Sequence, residues 1–162
     1  MTTVPKFLKF ASGPAVFLVV LGAWQATSLA TVYPPGTVRY AGRATVLRAN
    51  ATILTSSTRV LLADSGELNS NGGSKETTVV TFDNPPPLEV HSKTAHAMAS
   101  GENSVSTSTA AVEKLVINVG TLQITADVIE ANSFAECHPD SGTVSVSGNS
   151  TLANLTINGS PI

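Results

Sequence analysis

Charged side chains are what this chain has least of. Lys, Arg, Asp and Glu together make up 12% of its 162 residues, about half the usual share of a soluble domain. The formal balance is −2, so there is no basic stripe to neutralise phosphates, and nucleic-acid binding is not expected. Aromatic residues amount to 5%, which leaves Ala, Val, Leu and Ile to build the core and few rings for stacking on sugars. Cys137 stands alone, whereas a disulfide framework or a thiolate zinc centre needs several cysteines. Lys, Glu and Met are scarce beside Thr, Ser, Val, Asn and Gly, a bias toward strands and turns over helices.

Motifs of catalysis are missing as well. The sequence contains no Gly-x-Ser-x-Gly elbow, no His-Glu-x-x-His, no phosphate loop and no dinucleotide fingerprint. Asp127 and Glu130 lie three apart in a predicted strand, so a regular pleat sends them to opposite faces rather than pairing them for acid–base work. His91 and His96 are five apart, again an odd spacing that separates their faces, and His138 has only its neighbour Cys137 beside it. Neither arrangement meets the four-ligand pattern of a zinc site. No enzyme activity, metal or cofactor is expected.

What is present begins with an export signal. Lys6 and Lys9 precede an apolar run at residues 15–24, and Ser28-Leu29-Ala30 then supplies a small-x-small cleavage pattern, predicting removal of residues 1–30 before Thr31. The run is well short of the roughly 20 apolar residues that span a bilayer, and no second one follows it. Membrane contact is expected only through this signal helix before cleavage. The mature chain would keep 7 basic and 11 acidic residues, a charge of about −4. The protein is expected to be secreted or held at the cell surface.

Residues 31–162 read as one β domain. Residues 38–53 alternate apolar and polar, with a change of face near Leu47 that predicts a bulge. Arg39, Arg43, Arg48 and Arg59 cluster there; without a converging second motif they read as solvated outer positions rather than an anion site. Residues 60–62 are a short strand, 68–75 a polar loop, and 77–82 a strand of β-branched residues. Pro85-Pro86-Pro87 reads as a stiff crossover between sheets. In residues 88–98 a strict alternation would put Leu88, Val90, Thr94, His96 and Met98 on one face.

The longest two-periodic stretch, residues 105–137, hinges at Gly120. Leu115, Ile117 and Val119 share one face before the hinge, and Leu122, Ile124, Ala126 and Val128 line one after it, changing beyond Ile129 to Ala131, Ser133, Ala135 and Cys137. Glu113 and Lys114 favour helix over residues 110–116, but two-periodicity on both sides favours strand. Residues 143–147 and 150–158 finish the chain as strands. Asn50, Asn149, Asn154 and Asn158 each head an Asn-x-Ser/Thr sequence, a glycan acceptor in a eukaryote and a chance occurrence in so Ser- and Thr-rich a chain.

Residues 105–162 resemble the choice-of-anchor P family of bacterial secreted proteins. Ile124, Ala126, Val128, Ala131, Ala135 and Cys137 match one strand pattern of that family, and Ser150, Leu152, Asn154, Leu155, Asn158 and Gly159 match the next. The resemblance implies an extracellular or surface-attached β domain without an established activity. Family members usually continue with further strands and often a second cysteine. The resemblance therefore implies a C-terminally short domain here, in which Cys137 pairs with another chain, stays a thiol, or has lost its partner.

The expected architecture is an antiparallel all-β sandwich of about seven to nine strands, with a jelly roll as one form it can take. The expected role is structural or adhesive, through association with other extracellular proteins or with itself. The alternative is a carbohydrate- or ligand-binding module; with Trp24 in the signal, only Tyr33, Tyr40, Phe82 and Phe134 would remain to stack on sugars.

Overall fold

A computed structural model describes residues 38–53 and 56–162 of the chain. The expected signal segment, residues 1–30, lies outside the described residues. Among the described residues nine strands follow in order: β1 Thr45–Ile53, β2 Ser56–Asp64, β3 Gly73–Asn84, β4 Leu88–Glu102, β5 Val105–Val119, β6 Leu122–His138, β7 Thr143–Ala153, β8 Thr156–Ile157 and β9 Ser160–Pro161. Residues 110–116 are strand, as their flanks require. The stretches 143–147 and 150–158 form the single strand β7 and the short strand β8, and β9 follows at Ser160–Pro161.

Two antiparallel sheets form. β1 and β2 make a hairpin, while β3 to β9 make a seven-stranded sheet ordered β3-β4-β5-β6-β8-β9, with β7 also paired to β6. The strands from β3 to β7 each pair with their neighbour in sequence, which is a meander rather than the Greek-key path of a jelly roll. Turn chemistry sets this path. Asn103 and Ser104 both adopt positive φ, 50° and 66°, in the two-residue turn from β4 to β5, the twist that matches a right-handed strand pair. Gly120, at φ 58°, opens the two-residue turn from β5 to β6. The Pro85–Pro87 run is not a crossover between sheets. It closes the β3–β4 hairpin, and Asn84 Nδ2 donates across the loop to the Leu88 carbonyl at 2.6 Å.

The hairpin β1–β2 packs on the inner face of β3, β4 and β5. Leu47, Val60 and Leu62 meet Leu88, Val90, Val112, Leu115, Ile117 and Val119 in one buried cluster. Ala95, Ala97 and Ala99 are fully buried, and their short side chains let the layers approach closely. Above them Tyr40 closes the edge of the core. A Cβ on Gly101 would lie 2.6 Å from the Tyr40 ring, and Tyr40 Oη accepts the Ser104 N–H at 3.1 Å. A latch fixes the hairpin's open end. Arg43 grips Asp64 with Nε and Nη2, the first at 2.9 Å, Gly66 N–H donates to the same carboxylate at 3.0 Å, and Thr77 Oγ1 donates to the Asp64 carbonyl at 3.0 Å. The hydrogen bonds from Arg43 above all, with burial opposing them and the Gly66 amide assisting, hold the Asp64 carboxyl down at about 2.

The large sheet carries a crease. Register places Thr81 opposite Lys93, Lys93 opposite Lys114, Lys114 opposite Asp127, and Asp127 opposite Asn154, yet none of these positions is paired in the main-chain ladder. The first three gaps interrupt ladders and the fourth ends one. Every second member of this row has a left-handed backbone: φ is 59° at Thr81, 52° at Lys114 and 54° at Asn154. Each strand changes face there. On β4, Leu88, Val90 and Ser92 point inward before the crease, and Ala95, Ala97 and Ala99 after it. On β5 the inward residues are Val112 before it and Leu115, Ile117 and Val119 beyond. The strict alternation expected over residues 88–98 therefore fails at Lys93. The physical effect equals a one-residue slip of the pleat without an inserted residue. The β1–β2 ladder has a related gap: it skips the Val46–Ala63 pair, where Ala63 has φ 44°, and resumes in the same register. The expected bulge near Leu47 is thus a break in pairing, with no extra residue.

Candidate association surface

The two-stranded hairpin is narrower than the sheet beneath it, so part of the inner face stays uncovered. Register continues that face from β4 and β5 onto β6 and β7: Ala135 lies beside Val146, Cys137 beside Val144, Ala131 beside Ser150, and Ile129 beside Leu152. Val144 is 62% exposed, Val146 76% and Leu152 54%. These residues sit where a core would continue if a second layer covered them. Ten of the eleven residues of β7 are exposed, whichever face they point to.

Among the described residues β7 is also an open edge. From Ser141 to Ile162 no charged side chain occurs, and the β7 sequence TVSVSGNSTLA holds no proline. The opposite edge, β3, carries Lys75, Glu76 and Asp83 and runs into three prolines. Charge and proline are the usual means of blunting an edge against strand pairing. β3 has them and β7 does not.

The chemically suggestive residues resolve into separate local pairs. The crease brings His91 and His96 to the same outer face, contrary to the parity expected of a regular strand. Each meets its own β3 carboxylate: His91 Nδ1 lies 2.5 Å from Asp83 Oδ1, and His96 Nε2 lies 3.1 Å from Glu76 Oε1. Asp127 and Glu130 likewise share the outer face, because the phase changes between them. Asp127 accepts from Lys114 Nζ at 2.7 Å and from Asn154 Nδ2 at 2.7 Å, which holds its carboxyl below the ordinary range. Glu130 accepts from Asn132 Nδ2 at 2.8 Å. His138 Nε2 meets Ser145 Oγ at 3.0 Å. Among the described residues no group of three or more His, Cys, Asp or Glu is placed to hold a metal ion.

Cys137 is half-buried with a free thiol, on the uncovered inner face, and its N–H donates to the Ser104 carbonyl at 2.8 Å. Of the four arginines, Arg43 is committed to Asp64, and Arg59 is exposed opposite Asn50. The notch between hairpin and sheet, lined by Leu47, Ala51, Leu88 and Ile124, encloses about 20 Å³, room for little more than one water. Sequence reasoning overlooked the exposed row Val144, Val146 and Leu152, although the charge-free run after Asp140 was readable. Compared with known proteins, the chain matches no protein-family model, no curated protein and no solved structure.

Proposed function

We propose that this chain is a secreted or cell-surface structural module that works by association, with a second copy of itself as partner, through the inner face and open edge of β6–β7. The apolar run and small-residue cleavage pattern near its start support export. The strand-pattern resemblance to the choice-of-anchor P family supports a place at the cell surface. The observation that carries the reading is β7, an uncharged edge strand with three large apolar side chains held in solvent. A second copy suits it because antiparallel pairing of β7 with itself sets Ser, Thr, Val and Asn against the same residues, with no like charges to repel. Such a contact is isologous, closes on itself, and extends the sheet by main-chain hydrogen bonds. No catalytic step is part of the reading.

The test is light scattering after size exclusion on the exported chain, beside the double variant Val144→Lys/Val146→Lys. A defined dimer that becomes a monomer in the double variant, with cooperative unfolding of the monomer retained, is the expected result. A wild-type chain that stays monomeric at high concentration, or a variant that dimerises as before, would overturn it.

A further inference from the structure

The outer face of β5, β6 and β7 bears a second feature, on the side away from the proposed association surface. A depression of about 380 Å³ opens there, within the size range of about 300–1,000 Å³ typical of ligand pockets. Two rows of side chains form its floor. Thr107, Phe134 and Ser147 are register partners in one row, and Thr109, Asn132 and Asn149 in the next. Phe134 is the one exposed aromatic ring among the described residues, and it sits in the middle of its row with a hydroxyl on each side. Asn132 holds the middle of the other row and is steadied by its bond to Glu130. Thr107 is steadied by a 2.7 Å hydroxyl contact with Ser100. Beneath them the strands lie close, since a Cβ on Gly148 would come within 2.8 Å of the Asn132 carbonyl oxygen.

We propose that this depression binds a neutral saccharide, with one sugar ring stacked on Phe134 and its hydroxyls bonded to Asn132, Asn149 and Thr109. The chemistry of the floor selects that class. A pyranose offers an apolar C–H face and a rim of hydroxyls that both donate and accept, and side-chain amides and hydroxyls do the same. No cation lines the depression and the carboxylate of Glu130 stands beside it, so phosphates and acidic sugars meet nothing to neutralise them. A wholly apolar ligand would strand the amides without partners.

Calorimetric titration of the full chain with cellohexaose, laminarihexaose, mannohexaose and chitohexaose tests the assignment. Saturable binding of at least one oligosaccharide is expected, weakened about tenfold by Phe134→Ala and comparably by Asn149→Ala. Val144→Lys/Val146→Lys should leave it unchanged, which separates this site from the association surface. Thermal unfolding of each variant checks that the fold is kept, and Asn149, being exposed, serves if Phe134→Ala fails to fold. No binding of any of the four sugars, or equal binding by wild type and folded variants, overturns the proposal.

Discussion

The latch between Arg43 and Asp64 makes a prediction whose size follows from its geometry. Asp64 is 12% exposed and accepts hydrogen bonds from the Arg43 guanidinium, the Gly66 amide and the Thr45 hydroxyl. Its carboxyl ionises at about 2 in the folded chain against 3.8 for an unconstrained aspartate. At about 1.4 kcal/mol per pH unit, that difference contributes about 2 kcal/mol of stability when both states are ionised. Because the folded value is depressed, the contribution is complete above about pH 4 and is lost as pH falls through the folded value. Asp64→Asn keeps the shape and removes the charge. Urea unfolding of wild type and variant, run in parallel from pH 7 to pH 2, measures the difference. The variant should be about 2 kcal/mol less stable at pH 7, and the gap should close between pH 4 and pH 2. A gap that is absent at pH 7, or that stays constant to pH 2, would refute the account.

Three further perturbations test the packing. Leu62 is fully buried between hairpin and sheet, so Leu62→Ala should cost about 2–5 kcal/mol in the same unfolding assay. The buried hydroxyl of Ser92 has no hydrogen-bond partner; Ser92→Ala should therefore be neutral or raise stability by about 1 kcal/mol, and a clear loss would mean the hydroxyl is satisfied. Lys114→Val should stabilise a regular strand through its higher strand propensity. At φ 52° it should instead lower the unfolding free energy by about 1–2 kcal/mol, because a β-branched side chain is crowded in a left-handed backbone and the exposed pair with Asp127 is lost.

Much of the fold was legible in residue type alone. β-branched runs such as Thr77 to Phe82, the hinge at Gly120, and the apolar alternation of Leu115, Ile117 and Val119 each specify strand or turn through local sterics. The change of face expected beyond Ile129 comes earlier, at Asp127, and leaves Val128 on the face opposite Ala126. The candidate surfaces were harder to see, since Asn149 lies far along the chain from Asn132 and Phe134 and becomes their neighbour only through register. Histidine and carboxylate parity misled for one physical reason: spacing predicts a face only while the pleat is unbroken, and Lys114 or Thr81 shows nothing in its type of a left-handed backbone.

The sequence by itself determined an all-β chain, its turns, and the absence of charge after Asp140, because these depend on composition and short-range geometry. Tertiary structure decided the rest. The crease exists because strands paired in register transmit the phase change from one to the next across the sheet. The uncovered half exists because a two-stranded hairpin buries the inner face of three strands and leaves Val144 and Val146 in water. Neither follows from any one segment, since each depends on which segments come to lie side by side.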